Sequence, residues 1–429
     1  MKLQRLALPA ALTAASLAAI AWLTLKSAPE QTFESARTPL DCLVCGDAGL
    51  ADVLLNVLLF LPLGAGLAGL GRSLRFTAAA AFLTSLTVEL LQLTVVTGRD
   101  ASLSDVLTNT GGGILGWTLI GYGVALLYPP PRRAAWLALG SAALWAAAFA
   151  VSAWALHPDP ATGAYWGQWA HDFPGRGTFA GRVRTATLDG APVPDGRLRN
   201  TDEIRSGLAS GTFELTVEAK SGREWEDNAQ IFGIANDRGE IFLEWRQKGR
   251  DYEFTMRTRA ALLRLHSVDL LLPDAAPAAP GQLVSLRARW DAGTLTLAGG
   301  AAGHTVSRGL VLAPAGSWRF VWPWGRNRGE YAELENAIWV AMGLVVVGYW
   351  VGAGLRPRDA RDGSDGTPGP VERWLAAGTA ASIVFVLLVL PGAFGLQRTS
   401  AADWGAAALG LGSGALLAYM PRARRASGP

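Results

Sequence analysis

The chain has few cysteines, few histidines and little net charge, and each shortage excludes a class of binding site. Its 429 residues include two cysteines and four histidines. Cys42 and Cys45 have no second Cys pair, and the first histidine is His157, so a zinc site lacks its ligands. The formal net charge is only +3, and the basic residues lie at the ends of apolar segments. We therefore expect no metal, no cofactor and no nucleic-acid partner.

Apolar residues make up 50% of the chain, which is typical of a protein with several membrane spans. Eight apolar runs are long enough to cross a bilayer, at residues 6–25, 50–70, 76–96, 106–128, 134–156, 334–355, 374–395 and 402–420. The first run follows Lys2 and Arg5, as in a signal peptide, but its length favours an uncleaved span. The sequence thus predicts a multi-pass α-helical membrane protein of about eight spans. Five fall in residues 1–156 and three in 333–429, with a domain inserted at 157–332.

Basic residues in the short loops predict the orientation of these spans. Alternate ends of the runs carry Lys2, Arg5, Arg72, Arg75, Arg132, Arg133, Arg356, Arg358, Arg361, Arg422, Arg424 and Arg425. Loops rich in Lys and Arg stay in the cytoplasm. The pattern therefore predicts that both termini are cytoplasmic and that the inserted domain lies outside.

Three of the first four spans carry pairs of polar residues at helical spacing. The pairs are Asp52 with Asn56, Glu89 with Gln92, and Asp105 with Asn109. Spacings of three or four residues place each pair on one helix face. Such residues are costly in a bilayer, so they either hold helices together or form a polar site. With the predicted orientation, all six lie toward the outer leaflet, and we favour a polar site.

These residues also carry a family resemblance. The motifs Asp52-x3-Asn56-x5-Pro62, Glu89-x2-Gln92 and Arg99-x5-Asp105-x3-Asn109-x3-Gly113 resemble the VanZ-like membrane family over about residues 40–127. The family is named for a protein associated with resistance to the lipoglycopeptide teicoplanin. The resemblance implies a cell-envelope role in the bacterial inner membrane and a lipid or glycolipid ligand. It also favours a structural role for Cys42 and Cys45, which could form a local disulfide in an oxidising periplasm.

The acids of this predicted site outnumber its one basic residue, Arg99. Three carboxylates repel one another, so one is expected to be protonated or a cation to be bound, with Glu89 the deepest of them. Arg99 could engage an anionic lipid headgroup. Alternatively, Asp52 and Asp105 merely cap their helices.

The inserted region alternates apolar and polar residues at period two. Six such runs occur at 212–219, 231–235, 241–245, 252–258, 283–290 and 294–297, separated by turn residues. This pattern predicts an extracytoplasmic all-β jelly-roll sandwich, and the order of runs resembles concanavalin A-like (laminin-G-like) domains. Such domains often bind glycans. Trp225, in a polar stretch, is the expected glycan contact, whereas alternation places Trp245 and Trp290 in the core.

Two acidic pairs of the sandwich region, Glu214 with Glu218 and Glu240 with Glu244, are each expected on a solvated strand face. A catalytic glycosidase pair is therefore not predicted.

The last three spans resemble a degenerate copy of spans two to four. Glu333 and Asn336 match the Asp52–Asn56 motif, and Asp403 followed by Gly410 matches Asp105 followed by Gly113. The middle span has no equivalent of Glu89 or Gln92. The sequence therefore predicts a duplication whose second copy has kept the scaffold.

Several functions remain open at this stage. The leading hypothesis is a cell-envelope protein with a lipid or glycolipid site in the membrane and a glycan- or partner-binding domain outside it. The alternatives are a membrane enzyme with Glu89 as acid or base, a proton-coupled transporter of lipid-linked precursors, and a scaffold without turnover. The sequence supplies no nucleophile, so it does not decide whether the protein is an enzyme.

Overall fold

The computed structural model describes residues 2–26, 44, 48–96, 102–170, 177–222, 229–291, 293–322, 331–356 and 367–420. Eight long helices lie within them, all in the predicted apolar runs. They are α1 (Lys2–Thr24), α2 (Gly49–Gly69), α3 (Leu74–Thr94), α4 (Leu103–Gly121), α6 (Pro131–Ala155), α8 (Ala332–Gly354), α9 (Pro370–Ala393) and α10 (Ala401–Tyr419). Two short helices complete the set, α5 (Gly123–Leu127) and α7 (Thr201–Ala209).

Six of the long helices in the described residues are long and apolar enough to cross a membrane, namely α1, α2, α3, α6, α8 and α9. The multi-pass prediction is confirmed, and the predicted number of about eight is approximate. The two other helices, α4 and α10, have 19 residues each. Asp105 and Asn109 make α4 more polar, and Asp403 does the same for α10, while glycines dilute the apolar content of both.

Close contact between α2 and α4 organises the N-terminal helices. The two helices run parallel, with Gly112 against Val57 and Gly116 against Leu61. A Cβ atom added at Gly116 would lie 2.0 Å from the carbonyl oxygen of Leu61, so only glycine permits this approach. Helix α1 packs on α2, and α3 packs on α4.

Helices α8 and α10 pack in the same way in the C-terminal half. Here Gly410 lies against Ala341 and Gly414 against Val345. Gly348 meets Leu411, as Gly64 meets Gly113 in the first pair.

These contacts define one register between the two helix pairs. It aligns Asn336 with Asp52 rather than with Asn56, and Gly410 with Gly112 rather than with Gly113. The pairing expected from the sequence was therefore shifted by about one turn on α8 and by one residue on α10, whereas the match of Asp403 with Asp105 agrees with the contacts.

The remaining long helix of the first half, α6, packs on α8 and α9. The sequence grouped this segment with the first four spans. Its small residues explain the observed contacts, because Ala142 and Phe149 pack into the buried cluster of α8 and α9 around Leu344.

Twelve strands in the described residues form two six-stranded sheets. The strands are β1 (Tyr165–Trp169), β2 (Arg182–Leu188), β3 (Ala191–Pro192), β4 (Gly196–Arg197), β5 (Thr212–Lys220), β6 (Ala229–Asn236), β7 (Ile241–Lys248), β8 (Asp251–Met256), β9 (Val268–Leu272), β10 (Leu283–Asp291), β11 (Thr294–Ala301) and β12 (His304–Val311). One sheet has the order β4-β1-β6-β7-β8-β9 and the other β12-β11-β10-β5-β2-β3, with antiparallel pairing in both. The predicted all-β sandwich is confirmed, and all six predicted runs are strands.

The core of the sandwich continues into the ends of the membrane helices. Trp245 and Trp290 are buried in it, as predicted. The same buried cluster includes Leu156, just after α6, and Leu396, just after α9. The sandwich is therefore built onto the helices and shares its core with them.

Hydrogen bonds fix the sandwich at one end of the helical region. The amide of Leu50, in the first turn of α2, donates to the carbonyl of Arg264 at 2.9 Å. The indole of Trp318 donates to Asn336 Oδ1 in the first turn of α8 at 2.8 Å. Since α4 is parallel to α2, its first turn lies at this end as well.

The α2–α4 contact gives a direct test with a matched control on the same helix. Gly116→Leu is expected to lower the free energy of unfolding by about 3 kcal/mol, because the side chain would force the two backbones apart. Gly111→Leu should change it by less than about 0.5 kcal/mol, since a Cβ there meets nothing within 4 Å. Thermal unfolding of the purified protein in detergent measures both. Equal melting temperatures for the two variants would contradict the packing described here.

Candidate functional site

The predicted polar residues of α2 and α4 meet at the end of the helices that faces the sandwich. Asn56 Nδ2 donates to Asp105 Oδ1 at 2.9 Å. Both side chains are partly buried. The contact follows from the packing of the helices. Asn56 directly precedes Val57, which touches Gly112, and Asp105 lies about two turns before Gly112 on the same side of α4.

Helix α3 adds a buried serine that the sequence analysis missed. Asn109 Nδ2 donates to Ser85 Oγ at 2.9 Å, and Ser85 Oγ donates to the backbone carbonyl of Asp105 at 3.4 Å. Ser85 is fully buried. It lies one turn before Glu89 and two turns before Gln92, so the helical stripe of polar residues on α3 could have identified it.

Glu89 joins the start of α4 to α3. Its Oε2 accepts the backbone N–H of Ser102 at 2.7 Å, and its side chain is buried. Ser102 is the N-cap of α4, with its hydroxyl accepting the N–H of Ser104. A carboxylate next to the positive end of a helix is favourably placed.

The alternative of simple helix capping does not account for these acids. Ser102 caps α4, while Asp105 accepts a hydrogen bond from another helix. The N-cap of α2 is Ala48, which makes no side-chain cap, and Asp52 is exposed in the first turn. Asp52 lies after the N-cap, where its charge is favourable to the helix dipole, so capping is not its role.

Gln92 lies apart from this group. Its Nε2 donates to the carbonyl of Thr24 at the end of α1, at 2.9 Å. Its Oε1, like Asn109 Oδ1, is buried without a hydrogen-bond partner in the described part of the chain. The structure thus brings together Asn56, Ser85, Glu89, Asp105 and Asn109, and we refer to these five residues as the polar cluster. Gln92 is outside the cluster and contacts α1 instead.

Several predicted residues lie outside the described part of the chain. They are Arg99, Trp225, Cys42 and Cys45. Their roles as headgroup contact, glycan contact and disulfide stay predictions. In the described residues, no group of three or more His, Cys, Asp or Glu side chains could hold a metal ion.

The equivalent end of α8 and α10 is filled by the sandwich. The last 3-10 helix of the sandwich, Pro314–Phe320, places Trp318 against Asn336 and buries Arg319. Burial lowers the pKa of the Arg319 guanidinium, and the charges of Glu335 and Asp269 oppose that shift. Polar groups at this end of the second pair therefore serve to attach the sandwich.

A second polar group lies on the sandwich. Arg246 Nη2 is 3.3 Å from Glu253 Oε2 and its Nε is 3.7 Å from Glu244 Oε2, and both acids are buried. The expectation that Glu244 lies on a solvated face was wrong, because the cross-strand pairing of Arg246 with Glu253 draws the charges together. Glu240 is partly exposed and pairs with Arg257.

Comparison with known proteins supports the resemblance of the N-terminal helices. Residues 11–126 match the model of the VanZ/LLP1 family. The chain has no significant match among curated proteins or among solved structures. The concanavalin A-like identity of the sandwich therefore stays a prediction. The match covers the helices from α1 into α5, which are similar to the VanZ/LLP1 family, and the remaining helices and the sandwich lie outside it.

Proposed function

We propose that this is a bacterial cell-envelope protein whose VanZ-like region binds the polar headgroup of a lipid or glycolipid at the polar cluster. The observation that carries this proposal is the set of interhelix hydrogen bonds around Asp105, at the sandwich-facing end of otherwise apolar helices. Polar residues buried among membrane helices usually mark a ligand or ion path. The sandwich above would bind an envelope glycan or partner.

The chemistry of the cluster favours a ligand with hydrogen-bond donors. Glu89 and Asp105 offer carboxylate oxygens, and Asn109 Oδ1 is a buried acceptor without a partner in the described residues. Sugar hydroxyls and ammonium groups supply such donors. Arg99, which follows α3, would supply the positive charge for a phosphate.

We propose further that α8–α10 derive from a duplication of α2–α4. The shared register of glycine contacts supports it, as do the serine N-caps Ser102 and Ser400 at equivalent positions. In this interpretation the second copy exchanged ligand binding for attachment of the sandwich. The positions equivalent to Asn56 and Asn109 are Val340 and Ala407, so its hydrogen-bonding side chains there are gone.

The described strands of the sandwich include an exposed aromatic residue that suits a glycan. Trp166 on β1 is 40% exposed, with Gln168 two residues further on the same strand face. Exposed aromatic rings beside amide groups suit the apolar and polar faces of a sugar. Trp166 therefore joins Trp225 as a proposed glycan contact.

The duplication provides a matched pair of variants for the lipid site. Asp105→Asn removes a carboxylate from the polar cluster, and Asp403→Asn makes the same change at the equivalent position of α10. We expect Asp105→Asn to weaken binding of a polyprenyl-phosphate-linked sugar by about tenfold, since a charged acceptor is lost, and Asp403→Asn to leave it unchanged. Binding is measured on the full-length protein in lipid nanodiscs.

A scaffold predicts a different outcome for the same pair. Asp105→Asn would then lower thermal stability without changing the binding of any lipid in the panel. Equal loss of binding in both variants would instead contradict the assignment of the ligand to the first copy. Glu89→Gln extends the test, because unchanged binding in that variant would show that the ligand does not need a charge on Glu89.

The glycan proposal is tested with the intact protein, because the core of the sandwich includes residues after α6 and α9. We expect the nanodisc-embedded protein to bind one polymer from a panel of bacterial envelope glycans, and Trp225→Ala or Trp166→Ala to weaken that binding about tenfold. The variant that responds identifies the binding face. No binding across the panel would leave the sandwich as a docking or spacer domain.

The predicted orientation is tested by reporter fusions. Alkaline phosphatase inserted at the exposed turn of Gly303, between β11 and β12, should be active, and a fluorescent protein fused after the last residue should fluoresce in the cytoplasm. The reverse pattern would place the sandwich in the cytoplasm and contradict the proposed envelope role.

A further inference from the structure

An apolar cavity of about 370 Å³ lies where α2, α6 and α8 meet the sandwich. Helix α6 contributes Trp145 and Ala148, and α8 contributes Trp339 and Gly343. Leu54 of α2 completes the membrane side, while Leu265 and Phe320 of the sandwich close the end. Among the lining residues that the structure describes, Ser152 and Ser317 carry the hydroxyl groups. One of them, Ser317 Oγ, accepts the indole N–H of Trp339 at 3.0 Å, and Ser152 Oγ donates to the carbonyl of Ala148 at 2.7 Å.

The cavity is open on the side that faces the bilayer. Four residues of its lining are substantially exposed: Leu54 at 40%, Val151 at 49%, Trp339 at 47% and Met342 at 64%. All four belong to helices able to cross a membrane. Its inner wall is closed, since Phe149 and Phe320 are each only 4% exposed. The opening is thus continuous with the surface that contacts hydrocarbon.

The volume and the apolar lining of the cavity indicate which kind of molecule can occupy it. A cavity of about 150 Å³ lined by apolar side chains stays dry and takes up benzene, so one more than twice as large has room for several methylene groups. An empty space would forfeit the dispersion contacts of its whole lining. Among the described lining residues, water would find two hydroxyls that are already bonded and the indole N–H of Trp145, which is too little for a cluster of waters. Hydrocarbon from the adjoining leaflet fits without either cost.

We infer that the cavity holds a hydrocarbon chain of a lipid from the leaflet on the sandwich side. This rests on the proposed function in one respect, that the bound lipid is the ligand of the polar cluster. Leu54 lies between Asp52 and Asn56 in the sequence, on the opposite face of α2. The chain and the polar cluster therefore flank the same turn of α2, so a lipid held here has its headgroup at the level of the cluster.

Photochemical labelling of the full-length protein tests the inference. The protein is placed in nanodiscs containing phosphatidylglycerol with a diazirine in one acyl chain, irradiated, and mapped by mass spectrometry. Labelling should concentrate at Met342 and Val151, compared with Leu388 of α9, which is 67% exposed outside the cavity. Ala148→Trp fills the cavity and should reduce that labelling about fivefold.

Two further variants keep the result interpretable. Ala147→Trp adds the same bulk to an exposed neighbouring position outside the lining and should leave labelling unchanged. If Ala148→Trp fails to fold, Leu54→Trp fills the cavity from α2 and carries the same expectation. Labelling at Met342 no stronger than at Leu388, and equal in all variants, would mean ordinary annular lipid and overturn the inference.

The outcome separates this inference from the proposed function. Headgroup binding that depends on Asp105, without concentrated labelling at Met342, would leave the polar site standing and remove the cavity from it. Concentrated labelling that ignores Asp105→Asn would establish the chain site alone, with its lipid unrelated to the polar cluster.

Discussion

The close approach of α2 to α4 is the contact on which the rest of the membrane region depends. Gly112 and Gly116 let the two backbones touch, and no larger side chain fits there. Only at that separation does Asn56 reach Asp105, because a side-chain hydrogen bond needs heavy atoms within about 3 Å. The polar cluster is thus a consequence of a backbone contact. In membranes, where burial of apolar groups drives little association, such packing supplies the stabilising contacts.

The sandwich depends on the same helices in a different way. Leu396 and Leu156 extend its core into the membrane helix ends, and Trp318 bonds to Asn336 of α8. A domain held only by its two chain connections would reorient freely, whereas one that shares a core moves with its support. The cavity beside Leu265 exists because the sandwich closes it from above. A ligand bound in the cavity would therefore contact both the membrane helices and the sandwich.

The sequence predicted the helices and strands well, but it did not predict which of them lie next to each other. Apolar length located every long helix, and the spacing of Asp105 and Asn109 placed both on one face. That spacing cannot say which helix lies opposite, so Gln92 was assigned to the site although it bonds to Thr24 of α1. Similarly, alternation predicted both the strand with Glu244 and the strand with Glu253, but not the register that places Glu253 opposite Arg246. Ser85 was missed because a serine alone carries little signal, and only its spacing of one turn from Glu89 and two turns from Gln92 distinguishes it.

The comparison of the two helix pairs also indicates which polar residues matter for function. Polar side chains occur in both pairs at the positions of Asp52 and Asp105, where the register places Asn336 and Asp403. A polar group at these two positions therefore suits any pair of helices packed in this way, with or without a ligand. The positions equivalent to Asn56 and Asn109 are apolar in the second pair, so the packing of the helices does not require these two asparagines. Burying a polar group costs stability unless it is hydrogen-bonded, and both asparagines obtain that bond only from other polar residues of the cluster. These two asparagines, more than the acids, therefore distinguish the first pair from the second and support the ligand site proposed there.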